Sequence, residues 1–392
     1  MPTKIEWTEV TWNPIVGCSK VSSGCDNCYA ERMAYRLAHM GLEGYAYVTH
    51  EKGGWNGKIY RKFSGDVINK PLHWRKPRMI FVSSMGDLFH ENVPFEWVLK
   101  IIGIAIVTPW HTYQILTKRP ERMLEFFDYW PKGWFLREAM KFTSFSGEFF
   151  ALDSIKHLVT DKQVSKANDY WIHNYDQSRR GKLDGPVPFP TPNLWLGVTA
   201  ENQEQADFRI PKLLEIPAAV RFVSIEPMLA EIDFDQIYPG EMFCPACRGF
   251  FDEPKEWTSP CCGSLAEAVV HGCSERCDEC KEVFNVDEQI PTCPHCDNSG
   301  DGHYIQPDYV NCFSVDREGA VLEKLDWVIV GPETGPGARP MKLEWAEKIV
   351  SDCKDADVPC FVKKLPIDGK VTGVMQKWPE HLRVRQYPRG GK

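Results

Sequence analysis

Three cysteines fall within one short stretch, Gly17-Cys18-Ser19-Lys20-Val21-Ser22-Ser23-Gly24-Cys25-Asp26-Asn27-Cys28-Tyr29. Three thiolates spaced in this way can hold three irons of a [4Fe-4S] cluster and leave the fourth iron open to chemistry. A structural zinc wants four closed ligands, and no fourth cysteine stands nearby. Gly17 and Gly24 suit a loop that wraps tightly, and Tyr29-Ala30-Glu31-Arg32-Met33-Ala34-Tyr35-Arg36 reads as a helix leaving it. The plain alternative is a loop of three reduced thiols. Buried structural cysteines rarely crowd into a glycine-flanked polar loop, which favours the ligand reading.

A second group of cysteines has the spacing of zinc knuckles. Cys244-Pro-Ala-Cys247 is followed by Cys261-Cys262, and Cys277-Asp-Glu-Cys280 is followed by Cys293-Pro-His-Cys296. Each C-x-x-C turn can bring two thiolates to one tetrahedral zinc, and so short a module would need metal to fold. In the first site the adjacent pair Cys261-Cys262 leaves the ligand set open, with His271 or Cys273 as substitutes. A second iron-sulfur cluster is the competing use of these cysteines.

The elements that must position the first motif are short apolar runs, each ending in polar or glycine residues and followed by a helical pattern. Met79-Ile80-Phe81-Val82 ends at Ser83, Gly86 and Asp87; Tyr113-Gln114-Ile115-Leu116 ends at Thr117, Lys118 and Arg119. Leu194-Trp195-Leu196-Gly197-Val198 ends at Thr199 and Glu201; Val220-Arg221-Phe222-Val223 ends at Ser224 and Glu226. Trp327-Val328-Ile329-Val330 ends at Gly331 and Glu333; Pro359-Cys360-Phe361-Val362 ends at Lys363 and Lys364. Polar residues gathered at the C-terminal ends of parallel strands mark the mouth of an α/β barrel. With a first strand near Ile5-Glu6-Trp7, the count suits an open, partial (βα)6-type TIM barrel. Helices are expected to start at Thr117-Lys118-Arg119-Pro120-Glu121 and at Pro94-Phe95-Glu96, the second running apolar through Ile106.

Residues 1–129, 193–239 and 319–392 therefore read as barrel, interrupted at 130–192 and at 240–318 by a zinc-ribbon-like insertion. The first interruption mixes Arg137, Lys162, Lys166, Arg179 and Arg180 with Trp134, Tyr170, Trp171 and Tyr175. Interleaved cations and aromatics suit nucleic acid, and a solvated helical insertion with its own small core is the bland alternative. The second interruption carries sixteen acidic and five basic residues between Glu241 and Glu318, against a net charge of −8 for the whole chain. It is a poor phosphate binder and a better surface for a protein partner, while the remainder of the chain is slightly positive.

Among the 392 residues no apolar stretch has the roughly 18 residues of a membrane span, and no apolar signal region opens the chain. The expectation is a cytoplasmic protein with no membrane contact, in which the fifteen cysteines, most of them closely paired, point to metal ligation rather than disulfides.

The run Ile5-Glu6-Trp7-Thr8, then Thr11-Trp12-Asn13-Pro14 and the three cysteines, resembles the opening of the phage Gp37/Gp68 family (DUF5131). That family's three-cysteine motif is similar to the one in radical S-adenosylmethionine (SAM) enzymes. The resemblance continues in order through 78–92, 113–123, 194–230 and 326–344. It departs from the commoner radical-SAM spacing, having six residues between the first two cysteines and Asn27 before Cys28. The resemblance implies a [4Fe-4S] cluster on Cys18, Cys25 and Cys28, SAM as cosubstrate, and a reductant such as flavodoxin or ferredoxin. It also implies that Gly86 and Asp87 meet the SAM amino group, with Glu333 near its adenine. Lys118, Glu201 and Glu226 are further candidates for catalytic roles at the mouth, and for every one of these residues a structural ion pair is the alternative.

The function expected is thus generation of a 5′-deoxyadenosyl radical, with a nucleic acid or nucleotide as substrate. Two other classes stay open. One is a non-catalytic Fe-S and zinc protein that binds nucleic acid or a protein; the other is a hydrolytic barrel using Asp87, Glu201 and Glu226 on a divalent metal.

Overall fold

The computed structural model describes residues 5–63, 66–129, 158–174, 190–237 and 325–388, Thr3, and six short strands between 241 and 285. The chain divides into two compact units, Met1–Ile237 with Val321–Lys392, and Tyr238–Ala320.

The larger unit is built on one seven-stranded sheet. Its strands are β1 (Val10–Trp12), β2 (Met79–Val82), β3 (Thr112–Thr117), β4 (Leu194–Thr199), β5 (Val220–Ile225), β6 (Trp327–Val330) and β7 (Cys360–Val362). Every neighbouring pair is parallel, and the order across the sheet is the order along the chain. A parallel sheet that never reverses its winding direction curls towards a barrel, so its strand ends gather on one rim rather than at a switch point.

Each strand reads as a near-continuous apolar run because both faces are covered. The outer face packs against α2 (Phe95–Val107), α3 (Pro120–Tyr129), α5 (Gln203–Glu215) and α6 (Leu343–Asp355) in one large core. α1 (Tyr29–His39) leaves the cysteine loop, and α4 (Asp161–Asn174) packs on α2. The concave face holds a separate aromatic core of Trp7, Phe81, Trp195, Phe222, Trp327 and Phe361. Neighbouring strands supply it in register, Gly197 beside Phe222 and Phe222 beside Trp327. Gly197 is required there, since a Cβ would lie 2.6 Å from the Phe222 ring.

The first strand is Val10–Trp12 rather than Ile5-Glu6-Trp7. Residues 5–7 enter as a turn whose Trp7 indole stacks 4.8 Å from Phe81 and 6.2 Å from Trp327, stopping the N-terminal end of the half-barrel. The two segments look alike in sequence, and the concave cavity decides between them because it needs a large apolar plug.

Within the 130–192 interruption, α4 belongs to the main core. Trp171 is buried and donates its indole N–H to Ile106 O at 3.1 Å, so it packs rather than waiting for a base. Lys166 stacks its ammonium 3.8 Å from the Trp110 ring. Arg137, Trp134, Tyr175, Arg179 and Arg180 lie outside the described residues.

In the smaller unit, Glu241–Cys244 pairs antiparallel with Gly249–Asp252. Trp257–Thr258, Leu265–Val269, Ser274–Cys277 and Val283–Asn285 form an antiparallel sheet in that order. Cys244 and Cys277 each end a strand whose partner strand follows the C-x-x-C sequence. Cys247, Cys261, Cys262, Cys280, Cys293 and Cys296 lie outside the described residues. Among the described residues no helix is long and apolar enough to cross a membrane.

Replacing Gly197 by alanine should lower stability by about 1–3 kcal/mol, because the Phe222 ring must leave its place in the concave core. Chemical denaturation of the variant checks this, and an unchanged midpoint would show that the ring has room to move.

Candidate functional site

The cysteine loop leaves the sheet through a single backbone bridge between Gly17 and Gly86. Gly17 has φ of +106°, and a Cβ on it would lie 2.3 Å from Lys58 O. A Cβ on Gly86 would lie 2.8 Å from Gly17 O. Both glycines are therefore explained by close backbone approach, which sets Cys18 directly beside the end of β2.

Beyond this bridge the loop has one 3-10 turn, Ser23–Cys25, and Cys28 stands immediately before α1. All three thiols are free and half-buried. So little regular structure would leave the loop undefined unless side chains fixed it. Three carboxylates do so, and they come from the ends of β2, β4 and β6.

The first is Asp87, after β2. Its oxygens accept from Arg119 Nη1 at 3.0 Å, Thr117 Oγ1 at 2.8 Å, Phe89 N at 3.0 Å and Lys118 N at 3.3 Å. Arg119 in turn donates to Ser19 Oγ at 2.7 Å and Ser19 O at 3.2 Å, and places Nη1 3.7 Å from Cys18 Sγ. Burial and the Asp87 charge push the Cys18 thiol up to about 12, against the opposing pull of Arg119. In the metal-free protein Cys18 thus carries its proton at neutral pH.

The second is Glu201, after β4, which is fully buried. It accepts from Gly24 N at 3.1 Å and from Arg209 Nη1, on α5, at 3.0 Å. Asn202 caps α5 by accepting from Gln205 N at 3.0 Å, which fixes the turn that aims Glu201 at the loop. A Cβ on Gly24 would stand 2.8 Å from the Glu201 carboxyl carbon, so this glycine makes room for the carboxylate.

The third is Glu333, after β6. It accepts from Asn27 Nδ2 at 2.9 Å, and from Arg339 N at 2.7 Å, Nε at 3.0 Å and Nη2 at 2.6 Å. Arg339 continues to Ser23 O at 2.8 Å and Asp26 at 3.1 Å. Burial alone would raise the Glu333 carboxyl, but the bonds from Arg339 and Asn27 outweigh it and hold the group down at about 2. This pin therefore stays charged from neutral pH down to strongly acidic conditions; the stability it contributes is fully present above the ordinary value of 4.5 and is lost progressively as pH falls from there through about 2.

Asp87, Glu201 and Glu333 are thus brought round one loop, each in an ion pair with an arginine. Glu226 is placed differently. It pairs with Lys363 from the end of β7, and Lys363 also stands 3.9 Å from Glu6. Lys118 gives its backbone N–H to Asp87, and the residue is half-buried. Arg119, Arg209, Arg339 and Asn27 had no part in the sequence-based assignment. The signal for two of them is an arginine within a few residues of a strand-end motif, at Lys118-Arg119 and Gly337-Ala338-Arg339.

The donor set suits an iron-sulfur cluster. Three thiols share one loop, a guanidinium stands against one sulfur, and the Ser22 hydroxyl inside the loop is buried without a hydrogen-bond partner among the described residues. Donors near cluster sulfurs are a usual means of tuning such centres. Among the described residues no three His, Cys, Asp or Glu side chains converge to hold a single metal ion. Asp87, Glu201 and Glu226 are each held in an ion pair, with Arg119, Arg209 and Lys363, and the thiolates of a cluster each bind a different iron rather than one shared ion.

A family model described as "Protein of unknown function (DUF5131)" matches residues 2–371. No curated protein and no solved structure matches the chain.

Arg209→Ala should destabilise the protein by about 3–5 kcal/mol, because it leaves the fully buried Glu201 charge without its partner. Glu125→Ala, which breaks an exposed pair with Arg122, should cost about 1 kcal/mol or less. Urea melts of both variants make the comparison, and equal losses would contradict the buried-pin reading.

Proposed function

The chain belongs to the DUF5131 family, and on that footing we propose that it is a radical-SAM-type iron-sulfur enzyme of the Gp37/Gp68 kind. The observation that carries this reading is the set of three free thiols on one loop at the C-terminal rim of a parallel half-barrel, pinned from three strand ends. Cys18, Cys25 and Cys28 would hold a [4Fe-4S] cluster. When bound, it would supply an open iron for the amino and carboxylate groups of SAM and the one electron that cleaves the sulfonium S–C5′ bond to methionine and a 5′-deoxyadenosyl radical. A flavodoxin- or ferredoxin-type protein is the proposed electron donor.

The residues of the chain hold and tune that centre. Arg119 donates towards Cys18 Sγ and opposes the negative charge that a thiolate places there. Gly86 lets the backbone approach Cys18, and Asp87 acts on the site by orienting Arg119. Glu201 fixes the backbone just before Cys25, and Glu333 fixes Asn27 just before Cys28. Glu226, Lys363 and Lys118 are charged groups of the rim whose side chains do not pin the loop, and they are assigned to the polar groups of SAM or substrate. The concave core of Trp7, Trp195, Trp327 and Phe361 closes the lower half of the barrel to water.

The second unit is proposed to bind zinc through Cys277, Cys280, Cys293 and Cys296, and through Cys244 and Cys247 with Cys261 or Cys262. Its acidic composition suits a protein partner.

Protein reconstituted anaerobically should contain about four irons beyond any in the zinc module, and the Cys18, Cys25 and Cys28 triple alanine variant should contain none of them. The reduced wild type should cleave SAM. Arg119→Ala should retain iron but shift the cluster's reduction potential, read by spectroscopic titration. Iron content unchanged in the triple variant, or an intact reduced cluster that neither binds nor cleaves SAM, would overturn the proposal.

Zinc is tested separately. Chelation should remove the fold of residues 238–320 while the helices of the larger unit persist, as followed by limited proteolysis and circular dichroism. Carefully prepared protein without zinc, yet protease-resistant in that segment, would refute the second site.

A further inference from the structure

The loop that carries Glu333 has two sides. One is bound to the cysteine loop, through Asn27 to Glu333 and through Arg32 to Thr334 O at 3.3 Å and Pro336 O at 3.0 Å. The other borders a cavity of about 350 Å³ lined by Glu333, Thr334, Gly335, Lys364, Val371 and Gly373. Of these lining residues, Val371 comes from the hairpin of Leu365–Ile367 and Lys370–Thr372, and Gly373 lies just after it. The cavity is at the small end of ligand pockets, roughly 300–1,000 Å³, a size for one nucleotide-like group and not for a folded partner.

Charge is distributed unevenly around it. The walls are nearly neutral: Glu333 is compensated by Arg339, and Lys364 stands 3.6 Å from Glu6. Gly335 and Gly373 present backbone without side chains, and Val371 adds an apolar surface. On the hairpin side stand Lys370 and Lys377, both exposed and without an ion pair among the described residues. Arg383 donates to Trp378 O at 3.1 Å and Gln376 O at 3.3 Å, on and just after the 3-10 turn Met375–Lys377 that follows the hairpin, and no carboxylate pairs with it among the described residues. Residues 363–388 contain six basic and two acidic residues, in a chain whose net charge is −8. Val371 and Val374 are among the few large apolar side chains left exposed.

We propose that this cavity receives one unstacked nucleotide of a single-stranded nucleic acid, with the base between the glycine-lined loop and Val371 and the flanking phosphates on Lys370, Lys377 and Arg383. A neutral, partly apolar slot accepts a base, whereas phosphates require the cations at its edge. An acidic peptide would use those cations equally but has no group that the slot selects. The inference names the substrate class for the radical-SAM reading and rests on it for function. The binding event itself is independent of the cluster.

The test uses the full chain, with and without reconstituted iron, and three probes of matched charge: a labelled single-stranded oligonucleotide, its duplex and a polyglutamate peptide. Fluorescence anisotropy should show the single strand binding most tightly, in both forms of the protein. The Lys370→Glu, Lys377→Glu double variant should weaken it about tenfold and make the salt dependence shallower by about 1.4, at about 0.7 per phosphate contact. Gly373→Phe fills the slot, and its Cβ has only ordinary contacts, 3.6 Å from Lys364 at the nearest. It should abolish the preference for single strands over duplex while leaving the melting temperature and the reconstituted iron content unchanged. Equal binding of duplex or peptide by the wild type, or single-strand binding unaltered in both variants, would overturn the proposal. If SAM is cleaved and no oligonucleotide binds, only this inference falls. If oligonucleotide binds through the slot and SAM is never cleaved, the enzyme reading falls and the binding site stands.

Discussion

Everything at the rim depends on holding a loop that has almost no secondary structure of its own. Cys18 to Cys28 contains a single 3-10 turn, yet its three thiols must keep fixed relative positions. Backbone hydrogen bonds cannot do this for an irregular segment, so the task passes to side chains from alternate strands: Asp87 with Arg119 after β2, Glu201 with Arg209 after β4, Glu333 with Arg339 after β6. Burying such pairs costs desolvation energy that their attraction barely offsets, so they add little net stability. Their value lies in direction. An arginine held by a carboxylate presents its remaining N–H groups at defined angles, and here those groups reach Cys18, Ser19, Ser23 and Asp26.

The same division between rim and base runs through the concave face. Towards the N-terminal ends of the strands, Trp7, Phe81, Trp195, Phe222 and Trp327 fill the half-barrel with interlocked rings, some edge-on as Trp195 and Trp327 are at 6.0 Å. Towards the C-terminal ends the inward positions become small or charged: Thr199, Ser224, Gly331, Glu226 and Lys363. A Cβ on Gly331 would stand 3.4 Å from Lys363 and 3.8 Å from Glu226, ordinary contact distances that place this position directly beside the charged pair. A packed base and an open polar rim are what a parallel barrel needs to be both stable and reactive at one end.

Much of this scaffold was legible in the sequence because it follows from local patterns. Six apolar runs with polar ends became strands β2 to β7, and the helix starts at Pro120 and Phe95 follow from proline and apolar phase. The first strand was misplaced by a few residues, since Ile5-Glu6-Trp7 and Val10-Thr11-Trp12 carry the same alternation and only the concave cavity distinguishes a plug from a strand. Trp171 shows the same limit: its aromatic character suits a base or a core, and the outer face of α2 claims it.

The roles of the carboxylates lay further out of reach. Strand-end position marked Asp87, Glu201, Glu226 and Glu333 as rim residues, and both a ligand-facing and an ion-paired reading fitted them. Their partners stand far along the chain, 177 residues between Gly24 and Glu201 and 306 between Asn27 and Glu333. No periodicity connects positions so far apart. What the sequence determined by itself was the cysteine motif, the parallel strands and the rim on which acidic residues gather, because these are written in short-range spacing. Which of those acids pin the loop and which face the mouth was decided only by the tertiary structure, because a carboxylate's role depends on the cation that folding places beside it.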